Sequence, residues 1–310
     1  MPKMERWRIR NGILSLLSKI PAGENLYQLM QKYFGQFNNE DFVRNKIHEI
    51  NDIILFASNK GIDIKGLTII ELGTGWVPLA PVLLSLYGAQ SVTSIDLNHY
   101  YIPSLLKKAT AAIINTIQNN ENSFPIRMDQ NKIASLKKYR HKPDKILKAL
   151  AITLLSPVDA RDTCFNENSF DLYFSMDTLE HISPDDLELI FKESRRIVGP
   201  GGYFLHSIDL ADHFSYDDSN LSSIYFLCHS DKEWARICNR YTYHNRLRKN
   251  EYKALIQRSR FKIISKIEEI DQRALNELKD GLQLHDDYSG EKHDELCVNR
   301  LTYLMTSVIS

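Results

Sequence analysis

Apolar residues recur along this chain with two different periods. Through residue 65 they fall at three- and four-residue steps, in LLSKI, NLYQLMQKYF and FVRNKIHEINDIILFAS, where Ile47, Ile50, Ile54 and Phe56 form one stripe. That spacing predicts amphipathic helices and no strand, so residues 1–65 read as a helical cap. From Leu67 the runs shorten. LTIIEL is a β-branched run suited to a strand buried on both faces. SVTSIDL, ITLLSPVDA, SFDLYFSMD, YFLHSID, FKIISKIEEI and CVNRLTYLMTSVI continue the series to seven strands. Helical spacing returns between them, through Ile102, Leu105, Ala109, Ile113 and Ile117, and again through Leu187, Ile190, Phe191 and Ile197. Pro78 and Pro81 suit the first turn of a helix that Gly88 closes. Ser183 caps another, with Pro184 at its first position and Asp185 and Asp186 at the positive end of its dipole.

Alternating strands and helices predict an α/β fold over residues 66–310: a Rossmann-like, doubly wound, seven-stranded and mostly parallel sheet behind the N-terminal helical cap. Two stretches exceed a minimal crossover. Residues 98–150 hold ten Lys or Arg against three acids, a basic insertion. Residues 209–245 are rich in Phe, Tyr, Trp and His and read as a lid. Such aromatics suit a pocket for a ringed, partly apolar molecule, or packing of the lid on the cap; both readings stand. Arg246, Arg248 and Lys249 meet either an anionic substrate group or solvent.

Composition narrows the classes. Lys plus Arg (39) equals Asp plus Glu (39), which lacks the basic excess of a protein built to follow long nucleic acid, and no DNA partner is expected. The four cysteines show no CxxC and no zinc spacing and read as thiols of a reducing, cytoplasmic compartment. No apolar run approaches the roughly 18 residues of a membrane span. The first twenty residues carry five basic groups against one acid and no A-x-A-like cleavage site, which favours an amphipathic helix packed on the domain over a transit peptide. The sequence says nothing of oligomeric state.

Ligands of a doubly wound sheet sit at the carboxyl ends of its strands. Those ends carry Glu71, Gly73 and Gly75 after the first strand and Asp96, 21 residues past Gly75, after the second. Asp159 follows the third strand, Asp177 the fourth, and His206 and Asp209 the fifth. An acid at the Asp96 spacing meets ribose hydroxyls. A dinucleotide needs a third glycine and a helix N-terminus open to its pyrophosphate, whereas this chain has Val77 and Pro78 there. A carboxylate beside the turn suits a cationic ligand without phosphate, such as S-adenosylmethionine.

ELGTGWVP, SIDLN, VDARDTCFNENSFDLYFSMDTLEHI and RRIVGPGGYF, in this order, resemble the successive motifs of class I S-adenosylmethionine-dependent methyltransferases over roughly residues 67–208. The resemblance implies that Glu71, Gly73 and Gly75 hold the methionyl end and that Asp96 takes the ribose hydroxyls with Leu97 against the adenine. It implies that Asp159 accepts from the adenine amino group beside the backbone of Ala160, and that Met176 and Asp177 flank the cofactor. S-adenosylhomocysteine is then the product. Val77 departs from the family pattern at the third glycine.

Methyl transfer to a protonated nucleophile needs a base near the fourth and fifth strand ends. His206 and Asp209 come first, with His181 and His213 behind them. His181 also reads as a structural imidazole. No metal is expected, although Asp177, Asp209 and Asp212 form an alternative magnesium set. The expected acceptor is a small molecule, through a hydroxyl of a sugar, natural product or other metabolite. Rival readings are methylation of RNA or protein and a non-catalytic scaffold. SMDTLEH stands where an Asn/Asp-Pro-Pro-Tyr motif would signal nucleic-acid amine methylation, and Gly73, Gly75 and Asp96 are all retained.

Overall fold

The computed structural model describes residues 6–119, 124 and 126–308. Helices α1 (Arg6–Leu17), α2 (Gly23–Phe34) and α3 (Glu40–Ser58) precede β1 (Thr68–Leu72), α4 (Leu79–Leu86) and β2 (Ser91–Ile95). Three helices then separate β2 from the next strand: α5 (Pro103–Asn119), α6 (Gln130–Tyr139) and α7 (Pro143–Ala149). They lead to β3 (Ile152–Leu155), β4 (Phe170–Met176), α8 (Pro184–Ile197) and β5 (Val198–Asp209). The chain closes with α9 (Asp231–Ile237), α10 (Lys249–Arg258), β6 (Phe261–Ile270), α11 (Gln272–Lys279), α12 (His293–Leu296) and β7 (Val298–Ser307).

The seven strands form one sheet in the order β3-β2-β1-β4-β5-β7-β6. Pairs from β3 through β5 are parallel, and β7 runs antiparallel between β5 and β6. The strand alternation sets two faces. Ile69 joins one core with α3, α4 and α5, while Ile70 joins a second with α8 and α10. Both isoleucines are fully buried, which accounts for the unbroken apolar run in LTIIEL.

The helix ahead of β1 is anchored by its stripe. Asn39 caps α3 by accepting from the N–H groups of Asp41 and Phe42, and Ile47, Ile50, Ile54 and Phe56 enter the first core. The basic stretch of residues 98–150 is a helical layer, with Ile113, Leu136 and Ile146 buried in that same core.

The lid segment differs from a pocket wall. Phe214, Phe226 and Trp234 pack with Trp7 of α1 and with Ala274 and Leu278 of α11 in a third core. The Trp7 and Phe214 rings lie 4.8 Å apart. These aromatics therefore serve packing between the lid, the first helix and the β6–β7 connection. Arg246 and Arg248 are buried and spent on the same construction. Arg246 donates to the carbonyls of Phe226 and His229, and Arg248 to those of Leu210, Leu296 and Val298. Neither guanidinium is free for an anionic substrate group.

Candidate active site

The parallel strands β1 to β5 end on one edge, and the sequence places a turn, an acid or an imidazole at each end. After β1 the chain turns through Gly73 (φ +97°) and Gly75 (φ +57°), both in the left-handed region. A Cβ on Gly73 would stand 2.2 Å from Thr178 Oγ1, so this turn and the turn after β4 touch only because residue 73 has no side chain. Gly75 N–H donates to Asp96 Oδ2 at 3.0 Å, and Asn98 N–H to Asp96 Oδ1 at 2.8 Å. Asp96 thus locks the β1 and β2 turns together and keeps spare lone pairs on both oxygens. Leu97 beside it is 60% exposed.

Val77 is buried in the first core, which explains why the third glycine is missing: this position packs and does not approach a ligand. Pro78 at the N-cap of α4 has no N–H to offer a phosphate. An aromatic layer covers the turn. Trp76 lies against Tyr27 of α2 at 5.4 Å and Tyr100 at 4.5 Å, and Tyr27 stacks on Tyr241 of the lid at 4.2 Å.

Glu71 pairs in register with Ser94 of β2, whose hydroxyl donates to its carboxylate, and Thr74 Oγ1 lies 2.5 Å from Ser94 Oγ. Glu71 is 5% exposed. Burial first, and then the charge of Asp96, push its carboxyl up to about 8, against the lowering effect of the Ser94 bond. Folding therefore holds a proton that an ordinary glutamate loses near 4.5. The stability this contributes is full below about 4.5 and is lost as pH rises through about 8. Urea unfolding from about pH 5 to about pH 9 is expected to show stability falling with pH, and Glu71→Gln to flatten that slope. Equal slopes would place the proton elsewhere.

At the β3 end Asp159 is paired with Arg161 at 2.6 Å, which also reaches Asp186, and Ala160 is buried next to it. Hydrogen bonds from the Arg161 guanidinium hold the Asp159 carboxyl below its usual range. At the β4 end Met176 is half-buried and Asp177 adopts φ +49°. The Asp177 carboxylate takes Lys46 Nζ of α3 and Arg300 Nη1 of β7, each at 2.7 Å. Burial opposes its ionisation, but these two cations outweigh it and hold the carboxyl low. Its side chain is engaged, so only its backbone is free to flank a ligand.

His206, foremost among the sequence-based candidates for the base, is in the wrong place. It is 1% exposed, shares a hydrogen bond with Ser175 Oγ through Nδ1 at 2.7 Å, and packs against Tyr173 and Phe191 inside the second core. The β-strand period turns it away from the edge that Asp209 reaches three residues later. Burial drops its pKa to about 3. It is a core imidazole.

The other three candidates meet. Asp209 Oδ2 accepts from Tyr216 OH at 2.6 Å and lies 3.3 Å from His213 Nε2, while Oδ1 accepts from Ala211 N–H. Burial raises the Asp209 carboxyl, but the bond and charge of His213, the Arg300 charge and Tyr216 more than reverse this and hold it low. The His181 ring lies 5.1 Å from that of His213. Both approach His244, at 4.9 and 3.7 Å respectively. Asp212, by contrast, caps the turn at Phe214, and the candidate ligand groups among the described residues do not include it.

Sequence reading passed over Lys46, Thr178, Glu180, His244 and Arg300. The signals were faint: an acid inside the apolar LEHI turn, and an arginine between the apolar residues of the last strand.

Residues 126–206 match the family described as a methyltransferase domain. No curated protein sequence matches the chain. Among solved structures, a S-adenosylmethionine-dependent methyltransferase from Methanosarcina mazei is 15% identical, covering 82% of this chain and 97% of its own, with a TM-score of 0.47. One from Mesorhizobium loti is 15% identical, over 79% and 93% of the two chains, at 0.41. Magnesium protoporphyrin IX methyltransferase from Synechocystis PCC 6803, with bound S-adenosylhomocysteine, is 8% identical over 96% and 100%, at 0.49. The strand order is that of a Rossmann-like α/β sheet, and the family match covers residues 126–206 within it. No helix among the described residues is long and apolar enough to cross a membrane.

Proposed function

We propose that this protein moves a methyl group from S-adenosylmethionine to a hydroxyl oxygen of a small molecule, a sugar, natural product or other metabolite, leaving S-adenosylhomocysteine. One observation carries the reading: the turn of glycines and carboxylates at β1–β2, with Pro78 in place of a phosphate-binding N–H, touches through Gly73 and Thr178 the turn that leads into the imidazole–carboxylate cluster of β4–β5.

The donor set suits the cofactor. Glu71 offers a buried carboxyl whose proton the charge of a bound ammonium displaces, and the two glycines admit the ligand against the backbone. Asp96 has acceptor capacity for ribose hydroxyls, and the exposed Leu97 gives the adenine an apolar face. Asp159 and Ala160 close the far side, Asp159 as acceptor, with the backbone of Met176 and Asp177 toward the sulfur. When bound, S-adenosylmethionine supplies a sulfonium methyl open to in-line attack. The chain's own work is to exclude water, which the Tyr27–Trp76–Tyr241 layer assists, and to draw off the hydroxyl proton as the new bond forms. Asp209 with His213, beside His181, is the group that does so.

Calorimetric titration with S-adenosylmethionine and its demethylated product is expected to show one site per chain. Turnover with a panel of hydroxylated metabolites is expected to release S-adenosylhomocysteine. Folded protein giving no heat with either nucleoside would end the reading. Tight RNA binding with a steep salt dependence would move the acceptor to a macromolecule.

A further inference from the structure

From the grouping of His181, His213 and His244 over the ends of β4 and β5, we infer a binding site for a divalent first-row transition ion of the zinc or cobalt type. One ring nitrogen from each of the three residues lies within 4.8 Å of the other two. An ion holding each nitrogen at about 2.0–2.1 Å draws them to roughly 3.3 Å apart, a closure that small side-chain rotations supply. Three imidazoles with one position left open is the ligand count of a catalytic ion site.

The surroundings of the rings point the same way. His181 Nδ1 faces the Tyr243 carbonyl at 2.9 Å, and His213 Nε2 faces the Asp209 carboxylate at 3.3 Å. Metal-binding histidines usually use their second nitrogen in this way, on a carbonyl or a carboxylate. His244 is 4% exposed and its Nε2 has no hydrogen-bond partner.

An independent observation is Glu180. It is 3% exposed, neither carboxylate oxygen has a partner, and one of them lies within 4.8 Å of ligand atoms of Asp209 and His213. A buried carboxylate with no donor is costly, and a cation beside it removes that cost. The N₃ donor set, with a carboxylate at hand, suits zinc and its neighbours better than magnesium or calcium.

Ion binding stands on the geometry alone; its role rests on the methyl-transfer reading above. There the ion takes the acceptor's hydroxyl oxygen in its open position and lowers that hydroxyl's pKa. With His213 held as a ligand of the ion, the O–H bond breaks with its proton passing to the Glu180 carboxylate, which takes over that role from the Asp209–His213 pair. The freed oxygen pair forms the new O–CH₃ bond as the methyl–sulfur bond breaks, and that electron pair stays on the sulfur of S-adenosylhomocysteine.

The test uses the full chain, stripped with chelator and titrated with Zn²⁺ by calorimetry and with Co²⁺ by visible absorption. One ion per chain is expected, with the intense d–d bands of a four-coordinate cobalt site. His181→Ala, at the open edge of the cluster, and His213→Ala are each expected to weaken binding at least about 100-fold while keeping the wild-type circular dichroism. Glu180→Gln, which keeps the shape, is expected to weaken it about tenfold. Stripped wild-type protein that takes up no more ion than the His181→Ala/His213→Ala double variant would overturn the site. S-adenosylmethionine is titrated in parallel: nucleoside binding without ion binding sinks only the ion site, and ion binding without nucleoside binding sinks only the methyl-transfer reading.

Discussion

Asp96→Ala is expected to weaken S-adenosylmethionine binding about 100-fold or more, with the fold intact. The carboxylate accepts from Gly75 and Asn98 N–H and so fixes the β1 and β2 turns relative to each other. In the proposed complex it also accepts from ribose hydroxyls. Hydrogen bonds to a charged group contribute about 1.5–3 kcal/mol each, and every 1.4 kcal/mol is a factor of about ten in affinity, so losing two reaches that figure. The fold survives because both N–H donors lie at the sheet edge, where water replaces the acceptor, while Ile69, Ile70 and Ile95 remain in their cores. Asp96→Asn keeps the shape and one acceptor, and is expected to lose about tenfold. Calorimetry on both variants, with thermal melts alongside, checks this. An Asp96→Ala protein that binds within about threefold of wild type would remove the ribose from this strand end.

The fold was legible wherever periodicity was long and local. The Ile47–Phe56 stripe, the apolar LTIIEL run and the Gly-x-Gly turn each state their structure within a few residues, because helix and strand periods and left-handed turns are properties of neighbouring residues. The connection between β6 and β7 was not: α11 is a short helix whose stability comes from Ala274 and Leu278 packing on distant Trp7, Phe214 and Phe226, which no local pattern announces. The aromatics of residues 209–245 left two readings open for the same reason, since a ring that fills a core and a ring that lines a pocket look alike in sequence. His206 failed on the strand period. At a strand end, a shift of one residue decides between the ligand edge and the core, and its exact register with Ser175 becomes visible only when β4 and β5 are paired. His181 and His244, 63 residues apart, join through tertiary folding alone.

Asp209→Asn is expected to lower kcat by about 10²–10⁴-fold and to leave S-adenosylmethionine affinity within a few-fold of wild type. The charge of Asp209 is shared among Tyr216 OH, His213 and, across the β5–β7 pair, Arg300. Asn offers one acceptor and no charge, so it keeps the hydrogen bond of either Tyr216 or Ala211 but stops holding His213 in one tautomer and orientation. Whether His213 takes the acceptor's proton itself or presents a nitrogen to an ion, both depend on that orientation. The Lys46–Asp177–Arg300 network is untouched, so the backbone at the β4 end, which flanks the cofactor in the proposed complex, stays in place. A drop in kcat with an unchanged nucleoside Kd therefore separates the β5 end from the cofactor cradle. Equal losses in both would mean that Asp209 acts through the cradle, and a variant with full turnover would take the proton transfer away from this cluster altogether.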